Sequence, residues 1–210
     1  MTCSNIFIYL CPGYHSPALT GDFVSAIWSE PPNNLIIFPS DSLPPYSPQA
    51  VQQYLDQEIA SKSPLSQPVS TVWIAFSAGV VGGVLAARQW QSQGRSAHQH
   101  VNQHTTRSTT HHKVSGFIAI DGWGVPLGNA FPVYRMSHDL LTYRSQALMG
   151  DRPIASFVAH PAVDHLQLWR SPDTINGYLP NNGYTPKSSP SNALSITAAQ
   201  CIRSWLKNTP

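Results

Sequence analysis

Short runs of β-branched and aromatic residues recur along the chain, and each stops at a turn signal. Asn5–Cys11 (NIFIYLC) is closed by Pro12-Gly13, and Leu35–Phe38 by Pro39. Val69–Phe76 (VSTVWIAF), Val114–Ile120 (VSGFIAI) and Ile154–Ala159 (IASFVA) follow the same pattern. They lack the polar alternation of a one-sided strand, so they read as strands buried on both faces, the pattern of a parallel sheet. Between them the apolar period lengthens. Ala50, Val51, Tyr54, Leu55 and Ile59 recur at helical spacing from Ser47 to Ser61, with Ser47-Pro48 as cap and first turn. Phe76 passes without a linker through Ser77-Ala78-Gly79 into VVGGVLAARQWQSQG, a helical stretch stopped by Gly94. A closing helix is expected from about Asn192 to Leu206, carried by Ala193, Ile196, Ala199, Ile202, Trp205 and Leu206. The expected class is α/β: a three-layer sandwich with a mostly parallel sheet of about six strands covered by helices on both faces.

Three segments do not fit the alternation. Residues 91–113 are rich in Gln, Ser, Thr and His and read as a polar loop, although His98, His100, His104, His111 and His112 invite a metal reading. No carboxylate or cysteine lies among them, so no metal site is expected. Residues 171–192 are dense in Pro, Asn, Gly and Ser and read as a surface loop. Residues 124–150 read as a small cap between two strands.

The length of 210 residues suits one domain spanning 1–210. Only 10% of residues are charged and the formal net charge is +2, with no basic run, which argues against a nucleic-acid partner. No stretch approaches the roughly 18 apolar residues of a membrane span, and the first residues lack the flank of a signal peptide, so a cytoplasmic protein is expected. Cys3, Cys11 and Cys201 show no ligand or disulfide spacing and read as incidental thiols.

Ala75-Phe76-Ser77-Ala78-Gly79 has the small-x-Ser-x-small spacing of a nucleophile elbow, in which a serine occupies a tight strand-to-helix turn with its hydroxyl exposed. Small residues two before and two after the serine avoid collision with neighbouring backbone. A helix starting there also aims free N–H groups and a positive dipole end at a developing oxyanion. Gly82 and Gly83 are expected to let that helix pack closely on the sheet.

With this strand, turn and helix, the chain resembles the α/β-hydrolase superfamily, most nearly its small lidless bacterial-type serine hydrolases, from about residue 5 to 206. The resemblance implies Ser77 as nucleophile, the Ala78 N–H as first oxyanion donor and, from Cys11-Pro12-Gly13-Tyr14-His15, the Tyr14 N–H as second. It implies the chain order serine, acid, histidine. Glu30 and Glu58 precede Ser77, which leaves Asp121, Asp139, Asp151 and Asp164. Asp121 is favoured because it directly follows a buried strand, although the family commonly carries its acid one strand later; Asp139 and Asp151 come next. For the base, His138, His160 and His165 remain, and His165 is preferred, a few residues beyond a strand end, with His160 second. Trp123, Phe131, Tyr134 and Trp169, with Tyr178, are aromatics near the expected carboxyl edge or its loops; core packing is their default reading, and the alternative is that some line an acyl or aromatic pocket. The implied activity is cofactor-independent cleavage of a small or lipophilic acyl ester or thioester. An acyltransferase or lyase on the same elbow, and a non-catalytic binding protein of the same fold, are the alternatives.

Overall fold

The computed structural model describes residues 5–63, 68–96, 112–122, 124–150, 152–180 and 196–209. In chain order the elements are β1 (Asn5–Cys11), α1 (Pro17–Ile27), β2 (Leu35–Ile37), α2 (Pro48–Lys62), β3 (Val69–Phe76), α3 (Ala78–Ser96), β4 (His112–Ile120), β5 (Val133–Ser137), α4 (Leu140–Ala147), β6 (Ala155–Ala159), α5 (His165–Arg170), β7 (Asn176–Tyr178), β8 (Ile196–Thr197) and α6 (Ala198–Asn208). The class is α/β with a mostly parallel sheet. Its order is β2-β1-β3-β4-β5-β6-β7-β8, parallel from β2 through β6 and antiparallel at the last two pairings.

The continuous apolar runs lie in the middle of this sheet for the expected reason. Every residue of β3 is buried, because successive side chains point to opposite faces and both faces are covered. Tyr9, Trp73, Ala75 and Phe117 join Val51, Leu55, Val80 and Val84 in one core, under α2 and α3. Leu10, Ile74, Phe76 and Ile118 join Phe23, Trp169, Ile202 and Trp205 in the other, under α1, α5 and α6. Burying side chains of this size stabilises by about 1.5–3 kcal/mol each before entropy is charged against it.

The sheet exceeds the expected six strands, with eight among the described residues. The segment 124–150 is not a cap: it supplies β5, between β4 and β6, and α4, which packs on β5 and β6. Arg135 disguised β5 from a search for apolar runs, yet it is buried in the strand, and its guanidinium donates to the Val125 carbonyl at 3.2 Å. The loop expected over 171–192 contains β7, and the last helix begins at Ala198 behind a Thr197–Gln200 capping box. Helix α3 runs past Gly94 to Ser96. His98, His100, His104 and His111 lie outside the described residues, as do Cys3, Trp123 and Asp151, while His112 opens β4. No helix among the described residues is long and apolar enough to cross a membrane.

Candidate active site

Parallel strands deliver their carboxyl ends to one edge, where the loops that follow them meet. Ser77 follows β3 there and Asp121 follows β4. Both have positive φ, 52° in each case, the only described non-glycine residues that do. A left-handed backbone costs a residue with a Cβ roughly 1–2 kcal/mol, so each must be held by its surroundings. Hydrogen bonds between strands do this. The Ser77 N–H donates to the Ile120 carbonyl at 3.0 Å, and the Asp121 N–H donates to the Met136 carbonyl at 2.9 Å.

The turn at Ser77 requires glycine on its helical side. A Cβ at Gly79 would collide with the carbonyl oxygens of Cys11 and Pro12 at the end of β1. The glycine pair further along α3 behaves differently from expectation. Gly82 faces the Pro45 carbonyl of a loop, where a Cβ would also collide, and only Gly83 faces the sheet, with ordinary contact distances to Ala75 and Phe117.

A Cβ built at Gly13 would lie 3.0 Å from the Ser77 Cβ, which brings the Pro12-Gly13-Tyr14-His15 loop against the serine. The Tyr14 and Ala78 N–H groups find no acceptor among the described residues. For Ala78 this follows from its place as first residue of α3. The Tyr14 side chain is exposed and packs on Tyr46, ring centroids 5.8 Å apart.

Asp121 is fully buried and accepts three hydrogen bonds. Oδ1 takes the His138 N–H at 2.9 Å, and Oδ2 lies 2.9 Å from both His138 Nδ1 and His165 Nδ1. Facing a carboxylate, each ring donates from Nδ1, which leaves His165 Nε2 as an acceptor. His165 opens α5 and stacks on Phe76, the residue before Ser77, at 4.6 Å. The Val163 N–H donates to the His138 carbonyl at 3.1 Å and ties the two histidine-bearing loops together.

The structure therefore brings Ser77, Asp121 and His165 to one edge, with Ala78 next to the serine in the chain and Gly13, the neighbour of Tyr14, packed against it. His160 is exposed, its N–H on the Asn176 carbonyl, and makes no contact with Asp121. Asp139 caps α4 through the Thr142 N–H at 2.6 Å, and Asp164 precedes α5 without a side-chain cap bond. Of the expected pocket aromatics, Phe131 and Tyr134 sit at the amino end of β5, away from Ser77. They pack in the two cores, Phe131 on Phe117 and Tyr134 on Trp205. They open a strand, whereas the pocket expectation needed residues that follow one. Trp169 is buried between Phe23 and Phe76, under the His165 side of the edge.

Two further histidines stand at this edge: His138, one of the three base candidates, and His15, to which the sequence assigned no role. His138 shares the Asp121 carboxylate, a contact created by the end of β5 and absent from the expectation of a cap over 124–150. His15 belongs to the loop on Ser77, donates from Nδ1 to the Ser16 carbonyl at 3.0 Å, and has a buried Nε2 without a partner among the described residues. Burial lowers its pKa from 6.5 against the Ser16 bond, and the nearby His165 adds to the lowering.

Asp121, His138 and His165 place donor atoms within 4.8 Å of one another, the only such group among the described residues. Their donors already face one another: both Nδ1 atoms are engaged with Oδ2 and Oδ1 is occupied. The set is closed by its own hydrogen bonds. Burial pushes the Cys11 thiol well above its ordinary range and the Cys201 thiol up to about 12, so neither offers a thiolate. No known family model and no curated protein matches the chain.

Proposed function

We propose that the chain is a serine hydrolase of the α/β-hydrolase type, a single domain that cleaves small or lipophilic acyl esters or thioesters through an acyl-enzyme on Ser77. The observation that carries this reading is the His165 Nδ1–Asp121 Oδ2 hydrogen bond of 2.9 Å, made by a ring that stacks on Phe76, the residue before a serine on a strained strand-to-helix turn. Buried Asp121 selects the His165 tautomer with Nδ1 protonated, so Nε2 is the lone pair that takes the serine proton. The Ser77 oxygen then attacks the acyl carbon. The developing oxyanion is received by the Ala78 and Tyr14 N–H groups, to which the first turn of α3 adds its dipole. His165 returns the proton to the leaving alcohol or thiol. Water, activated by the same Nε2, releases the acid and frees Ser77.

The exposed Tyr14–Tyr46 pair beside this loop favours an apolar or aromatic acyl chain. The test is labelling of the intact protein with a fluorophosphonate probe, with Ser77→Ala as control. One adduct per chain, lost in that variant, is expected. Labelling that persists in Ser77→Ala, or none in the parent protein, overturns the proposal.

A further inference from the structure

The Asp121 carboxylate carries a second imidazole that the proposed chemistry leaves unused. His138 holds Oδ1 through its N–H and Oδ2 through Nδ1, at 2.9 Å each. On its other side, His138 Nε2 lies 3.6 Å from Asp139 Oδ2. With Nδ1–H given to Asp121, a neutral ring would leave the Nε2 lone pair 3.6 Å from a second carboxylate oxygen. Only the imidazolium presents N–H to both.

We propose that His138 is a positioning residue: an imidazolium clasped between Asp121 and Asp139, which fixes the carboxylate that orients His165 and offsets part of its charge. This rests on the hydrolase reading of Ser77 and His165. Four groups face the ring: Asp121 at the end of β4, Asp139 at the start of α4, and Asp164 and His165 at the start of α5. The pKa of His138 is raised from 6.5, first by the hydrogen bond to Asp121, against the opposing effect of burial, with the charges of Asp121, Asp139 and Asp164 adding.

The consequence for catalysis follows from the sign of the charges. The His138 and His165 rings meet edge-on with centroids 5.7 Å apart, so a cation at the first opposes a second cation at the other. With His138 charged, the activity profile is expected to hold to lower pH than an Asp–His pair alone would allow.

The test has two arms, both on the full chain. In the first, kcat/KM for 4-nitrophenyl acetate is followed from pH 5.5 to 9 in the parent protein and in His138→Asn, whose side-chain amide supplies a donor without charge. The acid limb is expected to move up by about one pH unit, a roughly tenfold rise in the ratio of activity at pH 8.5 to that at pH 6. A loss of equal proportion at every pH, or a downward shift, overturns the proposal. In the second, nitrogen-15 NMR follows the His138 ring without substrate. A midpoint above 6.5, lowered by Asp139→Asn, is expected; a midpoint at or below 6.5 overturns the clasp. Should the fluorophosphonate test fail, the hydrolase reading falls, and the NMR arm still decides the clasp.

Discussion

Ser77 and Asp121 share the same left-handed φ of 52° on adjacent strand ends, and the Ser77 N–H donates to the carbonyl of Ile120, the residue before Asp121. Two strained residues joined through one peptide mark a place where the fold accepts a cost. Strain of this kind collects at functional sites, where the surroundings over-determine the backbone.

The strain is measurable at Ser77. Replacement by glycine relieves about 1–2 kcal/mol of Cβ strain and forfeits about 0.5–1 kcal/mol through the freer unfolded chain, a net gain of roughly 0.5–1 kcal/mol. Ser77→Gly is thus expected to be more stable in urea unfolding and, on the proposed function, to lose esterase turnover by several orders of magnitude, as nucleophile knockouts do. Ser77→Ala should be equally inactive without the gain. A destabilised Ser77→Gly would show that the turn is not strained.

Asp121 and His165 are expected to behave as one unit. Asp121→Asn lets the amide hold the wrong imidazole tautomer, which on precedent lowers kcat by about 10⁴. Combining it with His165→Ala should cost little beyond His165→Ala alone, because members of one catalytic unit are strongly non-additive. Steady-state kinetics on the two single variants and the double variant decides it, and additive losses would put the residues in separate roles.

Sequence reasoning reached the Ser77 turn because its signals are local: a continuous apolar strand, a serine among small residues and a helix with no linker between. Asp121 was legible on similar grounds, as the first polar residue after GFIAI. Helix α1 was missed because Gly21 and Thr20 interrupt an eleven-residue apolar face. Strand β5 was missed because Arg135 and Ser137, both buried, break the rule that central parallel strands are apolar. With β5 went the position of His138. Its contact with Asp121 depends on the pairing of β4 with β5, and its proximity to His165 depends on the Val163–His138 backbone bond. Neither leaves a trace in spacing along the chain.

Two glycine replacements separate close packing from simple helix propensity. In Gly79→Ala the new methyl group meets two backbone carbonyls that have no flexible side chain to move aside. A loss of about 1–3 kcal/mol is expected, with activity reduced as α3 shifts from Ser77. Gly21→Ala lies inside α1 with nothing within 4 Å of the new Cβ and should gain about 0.5–1 kcal/mol. Thermal melts of both variants test the pair, and a neutral Gly79→Ala would contradict the tight turn.

The dependence of stability on pH isolates His138 by its sign. Its folded pKa is raised above the unfolded 6.5, so its contribution is fully present below 6.5 and is lost as pH rises through the folded value. His15 and His112 act in the opposite sense. Burial depresses both, so each withdraws stability as pH falls below 6.5 toward its folded value. The parent protein therefore sums opposing slopes, and its own profile is uninformative. The difference between parent and His138→Asn cancels the other two histidines. Burial pushes the Asp139 pKa up, but the Thr142 bonds and the charge of His138 outweigh this and hold it below 3.8, so Asp139 is lost only in acid. From pH 6 to 9 that difference, measured by urea unfolding, should be largest at pH 6 and shrink steadily toward pH 9. A difference that stays flat across the range would mean that His138 carries no extra proton in the folded state, and that its bond to Asp121 is made by a neutral ring.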